Sequence, residues 1–419
     1  MEQYLVNAIS NFVSTRTDIF GNESKYEKFK EIDANQTIPD GYNSTLFFGQ
    51  ILYKDRSGTI HESKPVVIKA TPKVKNTRFI SNLFINEINF YTKVIPTFST
   101  LNESFPSLFP QFHYGETIFN PSGDQSVIIL EDLKSRGYRM APKRSFLDSH
   151  HLILMMRKLG EFHAYSYKAK NDIPNLFYPL ANHCLETNTY VNHEHSDLLP
   201  SIDHLGFDCL LKKHPQYEQY SPIIEKMLRN ATDIYIQALS NDNLKNPTSV
   251  ICHSDFLRNN VMFKYENHVP KDMVLIDLAN YRYGSPAIDL ITVLYLNTDQ
   301  RTRDELWGTL IDEYYTALKT TFANNRVPDK SEILSEFNQR AFYGYLVATY
   351  FLPSLIAQDN DIPLSDYDRV MGQEYPDMGL YQIPAEILGE MILAASCDAG
   401  IEALSDILRD MIDRGFICK

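Results

Sequence analysis

Two short segments hold the residues best suited to chemistry. Ile251–Tyr265, ICHSDFLRNNVMFKY, contains His253, Asp255 and Asn260 in the spacing H-x-D-x-x-x-x-N, and Met273–Asp289, MVLIDLANYRYGSPAID, opens with an apolar run ending in Asp277. Phosphoryl transfer from ATP asks little covalent chemistry of a protein. It needs positioning, charge neutralisation by Mg2+ and a carboxylate to take the proton of the attacking hydroxyl. A carboxylate and an amide five residues apart on one tight loop can face one cleft, which makes Asp255 the candidate base and Asn260 a neutral oxygen ligand for a metal. Seventeen residues after Asn260, a strand–turn–strand is expected to return Asp277 to that cleft, as the second oxygen ligand of a hard divalent cation. The apolar run Met273-Val274-Leu275-Ile276 makes a rigid mount, as geometry-sensitive catalysis requires. Each residue alone has a plainer reading: Asp255 a loop cap, Asn260 a turn residue, Asp277 a surface acid at a strand end.

The elements that must position these residues weigh against the plain readings. Ser44–Lys54 is rich in β-formers and follows the turn signal Pro39-Asp40-Gly41; Gly58 marks a bend before Lys64–Ala70, KPVVIKA, a second strand. Lys69 is the polar end of that apolar run. Phe84–Ile95 places Phe84, Ile88, Tyr91 and Ile95 on one helical stripe that Pro96 is expected to close, and Glu87 on this helix follows Lys69 by eighteen residues. Paired with Glu87, the Lys69 ammonium would be held toward the α- and β-phosphates of a nucleotide. The plain alternatives are a solvated strand lysine and an exposed helix acid. Ser126–Leu130, SVIIL, is a buried strand, and Glu131-Asp132-Leu133 after it stands where a backbone connector would hold adenine. The order strand-Lys, helix-Glu, connector, H-x-D-x4-N, strand-Asp reproduces the parts of a protein-kinase-like fold. Neither G-x-G-x-x-G nor a Walker sequence is present, so the phosphate lid falls to Gly41-Tyr42-Asn43-Ser44-Thr45, with Ser44 and backbone amides facing phosphate. Beyond Leu133 the chain turns helical: His151–Ala169, Asp304–Phe322 and Ala341–Ala357, the last expected to break near Pro353. The expected architecture is α+β and bilobal. Residues 1–133 form a small nucleotide-binding lobe with an antiparallel sheet, and residues 134–419 form a larger, mainly helical lobe for catalysis and acceptor binding.

Composition excludes other classes. The 419 residues carry 40 Lys and Arg against 53 Asp and Glu, a net charge of −13, which makes a poor non-specific ligand for nucleic acid or an anionic membrane. The uncharged, largely apolar stretch of residues 341–357 is short for a membrane span and contains tyrosines and a proline. Five dispersed cysteines without a CxxC give neither a disulfide framework nor a zinc site, and the N-terminus lacks the charge order of a signal peptide, so a cytoplasmic protein is expected. His193-Glu194-His195 invites a metal reading, but no firm ligand set supports it. His163 reads as a satisfied core histidine, Cys252 as a small buried residue, and His150-His151 as a helix start. The oligomeric state is not legible.

The assembled segments resemble the ecdysteroid-kinase-like (CHK kinase-like) proteins of insects, in the choline-kinase and aminoglycoside-phosphotransferase superfamily. The resemblance runs from about Gly41 to about Phe322. It rests on VVIKATPK, FINEINFYTKVIPTF, VIILEDLKSRGYRM, LGEFHAYS, HSDFLRNNVMFKY, LIDLANYRYGSPAIDL and LIDEYYTAL. It implies an ATP- and Mg2+-dependent kinase that phosphorylates a small-molecule alcohol, an ecdysteroid or a hydrophobic xenobiotic. It also implies Asp255 as base, Asn260 and Asp277 as metal ligands, Lys69 and Glu87 as the phosphate-orienting pair, and Asp289 as a buried brace for the catalytic loop, which His253 orients. Three positions depart from the family pattern: Ser254 where glycine is usual, Leu257 where tryptophan is usual, and Leu278-Ala279 where Phe-Gln is usual. They motivate a rival expectation, a catalytically weak kinase shell that binds a hydrophobic ligand. A protein kinase is disfavoured, since the twelve residues from Asp277 to Asp289 are too few for an activation segment. An aromatic-lined acceptor pocket is expected between the catalytic loop and residues 170–250.

Overall fold

The computed structural model describes residues 2–32, 44–71, 78–119, 124–142, 145–187, 203–240, 245–359 and 397–418. Residues 39–43, the histidines at 193 and 195, and residues 360–377 of the acidic stretch lie outside the described residues. Contacts divide the chain into two compact units, Met1–Arg139 with Val274–Ala279, and Met140–Met273 with Asn280–Lys419. The sequence had put the break at 133/134 and left 274–279 in the second lobe. The first boundary moves because the turn Leu133–Arg136 and Tyr138 still belong to the first unit. The 274–279 segment moves because its Asp277 and Ala279 bond to residues of that unit.

The first unit is built on a six-stranded antiparallel sheet. Its strands are β1 (Lys25–Glu31), β2 (Thr45–Lys54), β3 (Ile60–Glu62), β4 (Val66–Ala70), β5 (Phe112–Ile118) and β6 (Gln125–Glu131), in the order β1-β2-β4-β6-β5 with β3 on β2. Successive residues of a strand point to opposite faces. In β4 this buries Val66, Ile68 and Ala70 against Leu5, Ile9, Phe12 and Val13 of the N-terminal helix Gln3–Thr15, and it turns Lys69 to the other face. The alternation thus decides that Lys69 avoids the apolar core. The other face is covered by the helix Arg78–Asn89, which carries Glu87. Pro96 does not end this helix: a π-helical turn, Phe90–Val94, follows, and Pro96 enters a new α-turn, Ile95–Ser99, near its start, where a missing N–H costs no intrahelical bond.

In the second unit the helix Ser149–Asp172 starts at Asp148, whose carboxylate accepts from the N–H groups of His150 and His151. It packs along Gln300–Thr320. Gly160 makes the approach possible, because a Cβ there would collide with the Tyr314 carbonyl and the Ala317 methyl. The helix Ala287–Leu296 is buried on every side and packs on Lys330–Asp359, which runs through Pro353 without the expected break. Pro353 stays in the helix at a close contact, its Cα and ring lying where a side chain on Gly400 would fall. No helix among the described residues is long and apolar enough to cross a membrane.

Candidate functional site

In the first unit three charged residues meet. The Lys69 ammonium donates to Glu87 Oε2 at 2.6 Å and to Asp277 Oδ1 at 2.7 Å, although Asp277 is 208 positions away in the chain. Glu87 is only 1% exposed, Lys69 12% and Asp277 39%. Burial works against the charge of Lys69, but Asp277 and Glu87 together raise its pKa above the ordinary lysine value. Burial pushes the Glu87 carboxyl up while Lys69 pulls it back. Glu87 also accepts from the backbone of Leu278, and Asn86 Nδ2 donates to Ala279 O at 3.2 Å, so two consecutive residues of one helix hold the segment after Asp277. Asp277 itself has φ +59°, a left-handed conformation that aspartate tolerates and that clusters at functional positions. Two carboxylates on one ammonium leave one negative charge over, on the more exposed group. That surplus and the hard oxygen ligands fit a divalent cation.

In the second unit the strand Val261–Glu266 and the opening residues of the strand Val269–Leu275 are joined by Asn267 and His268, both at positive φ, as a two-residue hairpin of the primed type requires. Before them, Val250–Cys252 pairs antiparallel with Arg282–Gly284 and delivers the loop 253–260. Asp289, fully buried, accepts from the N–H of His253 at 2.8 Å and of Ser254 at 2.7 Å. His163 joins Asp289 Oδ2 at 3.0 Å through one ring nitrogen and Tyr314 Oη at 2.9 Å through the other. It is a satisfied core histidine, and Asp289 braces the loop, both as expected. His163, Cys252 and Asp289 offer three donor atoms within 4.8 Å of one another, but these hydrogen bonds already employ the histidine and the carboxylate. Further on, Asn260 Nδ2 donates to Asp255 O and to Asp255 Oδ2, each at 2.8 Å. This turns the amide nitrogen inward and leaves Oδ1 as the acceptor, the atom a metal-binding asparagine uses, with only a long 3.5 Å contact to it from Asn259 Nδ2 among the described residues.

Ser254 has φ +66°, and its buried hydroxyl has no hydrogen-bond partner among the described residues. Leu257 and Leu278, the other departures, are buried apolar residues. Ser44 precedes β2 and is half-buried. Glu131 accepts from Gln111 N at 3.0 Å and pairs with Arg136, and Leu133 is buried at the start of the 3-10 turn Leu133–Arg136. The structure therefore gathers Lys69, Glu87 and Asp277 in one unit, gathers Asp255 and Asn260 in the other, and leaves Ser44, Glu131 and Leu133 outside both clusters.

Several supports were missed from sequence. Ser166 Oγ accepts from Ile251 N, Asn297 Oδ1 accepts from Arg258 N, and Tyr167 Oη and Lys170 Nζ bind the carbonyls of Thr248, Pro247 and Ser249 ahead of the loop. The polar stripe Ser166, Tyr167, Lys170 on a mostly apolar helix was the only available signal.

The model of the ecdysteroid kinase-like family matches residues 39–326. An uncharacterized kinase-like protein of Caenorhabditis elegans is 25% identical over 256 residues, 59% of this chain and 60% of that relative, so the chain spans about three fifths of its length. Among solved structures, a microcompartment-associated aminopropanol kinase aligns at 11% identity and TM-score 0.43 over 99% of both chains. Choline kinase from Cryptosporidium parvum aligns at 11% identity and TM-score 0.39 over 99% of this chain and 98% of that one. With the family model covering well over half of its length, the chain belongs to the ecdysteroid kinase-like family.

Proposed function

We propose that this protein is an ATP- and Mg2+-dependent phosphotransferase acting on a hydroxyl of a small molecule, an ecdysteroid or hydrophobic xenobiotic alcohol. The observation that carries the reading is the Lys69 ammonium shared by Glu87 and Asp277, a buried charge cluster drawn from distant parts of the chain. In this reading Lys69, oriented by Glu87, contacts nucleotide phosphate. Asp277 and Asn260 Oδ1 supply oxygen ligands for the metal, which when bound neutralises phosphate charge. Asp255, its Oδ2 fixed by Asn260 Nδ2, accepts the proton of the acceptor hydroxyl. The acceptor oxygen forms its bond to the γ-phosphorus as the bond from that phosphorus to the β–γ bridging oxygen breaks, and ADP departs. Adenine binding falls to the backbone of Glu131–Leu133, with Ser44 at the phosphates. The five free thiols support a cytoplasmic location.

The test is thermal melting of wild type and Asp277→Asn with and without Mg-ATP. A ligand at 100 times its Kd that binds only the folded state adds about 2.7 kcal/mol. A magnesium-dependent rise in wild type that disappears in the variant supports the proposal. No rise at millimolar Mg-ATP sinks it and favours the alternative that the altered Ser254, Leu257 and Leu278 motivate, a kinase shell that binds a hydrophobic ligand without transfer.

A further inference from the structure

Beside the loop that carries Asp255, the second unit holds a charge pair with no part in the scheme above. Arg282 sits on the strand Arg282–Gly284 directly opposite Cys252, three positions before Asp255. Its two terminal nitrogens meet both oxygens of Glu186, at 3.0 and 3.4 Å. The arginine side chain is 12% exposed, and its buried Nε–H has no hydrogen-bond partner among the described residues. The same unit holds a pair of tyrosines, Tyr343, which is buried, and Tyr235, with ring centroids 5.1 Å apart. The hydroxyl of Tyr343 is pushed well above the ordinary tyrosine value, first by burial and then by Tyr235, with Arg282 opposing and Asp255 adding to the rise. Tyr343 therefore remains a protonated donor at neutral pH.

A buried guanidinium with an unmet donor is expensive if it serves only as scaffolding. A few convergent polar groups in a largely apolar wall are what a ligand site presents. We infer that Arg282, held by Glu186 in the unit that also carries Tyr235 and Tyr343, is the acceptor-positioning group of this protein, taking a neutral hydrogen-bond-accepting oxygen of the acceptor, a carbonyl or second hydroxyl. The charge balance selects the class. Glu186 cancels Arg282, so an anion gains little from the pair, while the guanidinium still repels a protonated amine placed against its Nε. The inference rests on the phosphotransfer reading for the role of Asp255.

The test uses three probes that share a benzene ring and a hydroxymethyl group: 4-(hydroxymethyl)acetophenone, 4-(hydroxymethyl)benzoate and 4-(hydroxymethyl)benzylamine. Binding to the full chain is read by ligand-observed NMR in the presence of Mg-ADP. In wild type the neutral ketone binds best and the amine worst. Arg282→Met weakens the ketone by about tenfold or more, the worth of one buried hydrogen bond, and removes its lead over the other two probes. Glu186→Gln uncovers the positive charge and moves the benzoate to the top of the order, a reversal that a scaffolding role would not produce. Tyr343→Phe, a mild change, lowers ketone affinity and serves should Arg282→Met not fold. An unchanged order in both Arg282→Met and Glu186→Gln, amine preference in wild type, or no binding of the ketone to wild type overturns the inference. Magnesium-dependent nucleotide melting, measured on the same samples, separates that outcome from failure of the phosphotransfer reading, which would abolish the nucleotide shift as well.

Discussion

At the residue scale the sharpest feature is Ser254. It holds φ +66° and, immediately before Asp255, a buried hydroxyl without a hydrogen-bond partner among the described residues. A side chain in the left-handed region costs roughly 1–2 kcal/mol, an unsatisfied buried hydroxyl roughly 1–3, and glycine gives back roughly 0.5–1 in the unfolded chain. Ser254→Gly is therefore expected to raise unfolding free energy by about 1 kcal/mol or more, read from urea denaturation. An unchanged midpoint would mean that the loop relaxes around the serine. Asp255 makes the complementary prediction. Asp255→Asn removes the proton acceptor and should lower kcat by about 10^2–10^4-fold while leaving the Mg-ATP melting shift in place. Loss of that shift would assign Asp255 to nucleotide binding. Both residues stood out in the sequence as a departure and a motif, but the backbone angle that makes Ser254 costly was legible only as a condition, namely glycine expected where φ is positive.

At the element scale, positions are decided by close approach. The helices Ser149–Asp172 and Gln300–Thr320 meet at Gly160, and the first of them presents His163 to Asp289 and Ser166 to the strand before the catalytic loop. Gly160→Ala should destabilise by about 1–3 kcal/mol, since its methyl meets backbone that cannot yield cheaply. An unchanged midpoint in urea denaturation would show that the helices can part. The helix of Glu87 teaches a related lesson. Its apolar stripe was readable, but its end was misplaced, because a proline closes a helix only where its missing N–H is needed. Here the π-turn Phe90–Val94 re-registers the backbone before Pro96. Pro353 was misread for the same kind of reason: burial of the surrounding helix outweighs one lost hydrogen bond.

At the scale of the whole molecule, pH acts through buried groups more than through the net charge of −13. Asp203, 2% exposed, is pushed by burial from its ordinary 3.8 to about 7. The Thr349 hydroxyl donates to Leu346 O at 2.7 Å, so its 3.3 Å contact with Asp203 Oδ1 suits a protonated acid that donates to Thr349. The folded state then holds a proton that the unfolded state releases. Asp203 therefore favours folding fully below pH 3.8 and loses that contribution as pH climbs toward about 7. Asp203→Asn should flatten this part of the pH–stability curve and raise the melting temperature at pH 8 relative to wild type. Parallel curves for the two proteins would refute it. The carboxylates at the surface contribute little to this slope, because solvent screens them.

By itself the sequence determined the chemistry on offer and the family. The residue types Lys69, Glu87, Asp255, Asn260 and Asp277, their order, and the period-two burial that sets Lys69 apart from Val66 and Ile68 are local properties, written in spacing. Only the tertiary structure decided the rest. It brought Asp277 to the ammonium already held by Glu87, set Asp289 under two amides of the loop, and placed Arg282 and Glu186 beside the strand that leads to Asp255. Those partners are tens to hundreds of residues apart. No short-range pattern encodes such a meeting, because it is fixed by which apolar faces the whole chain can bury at once.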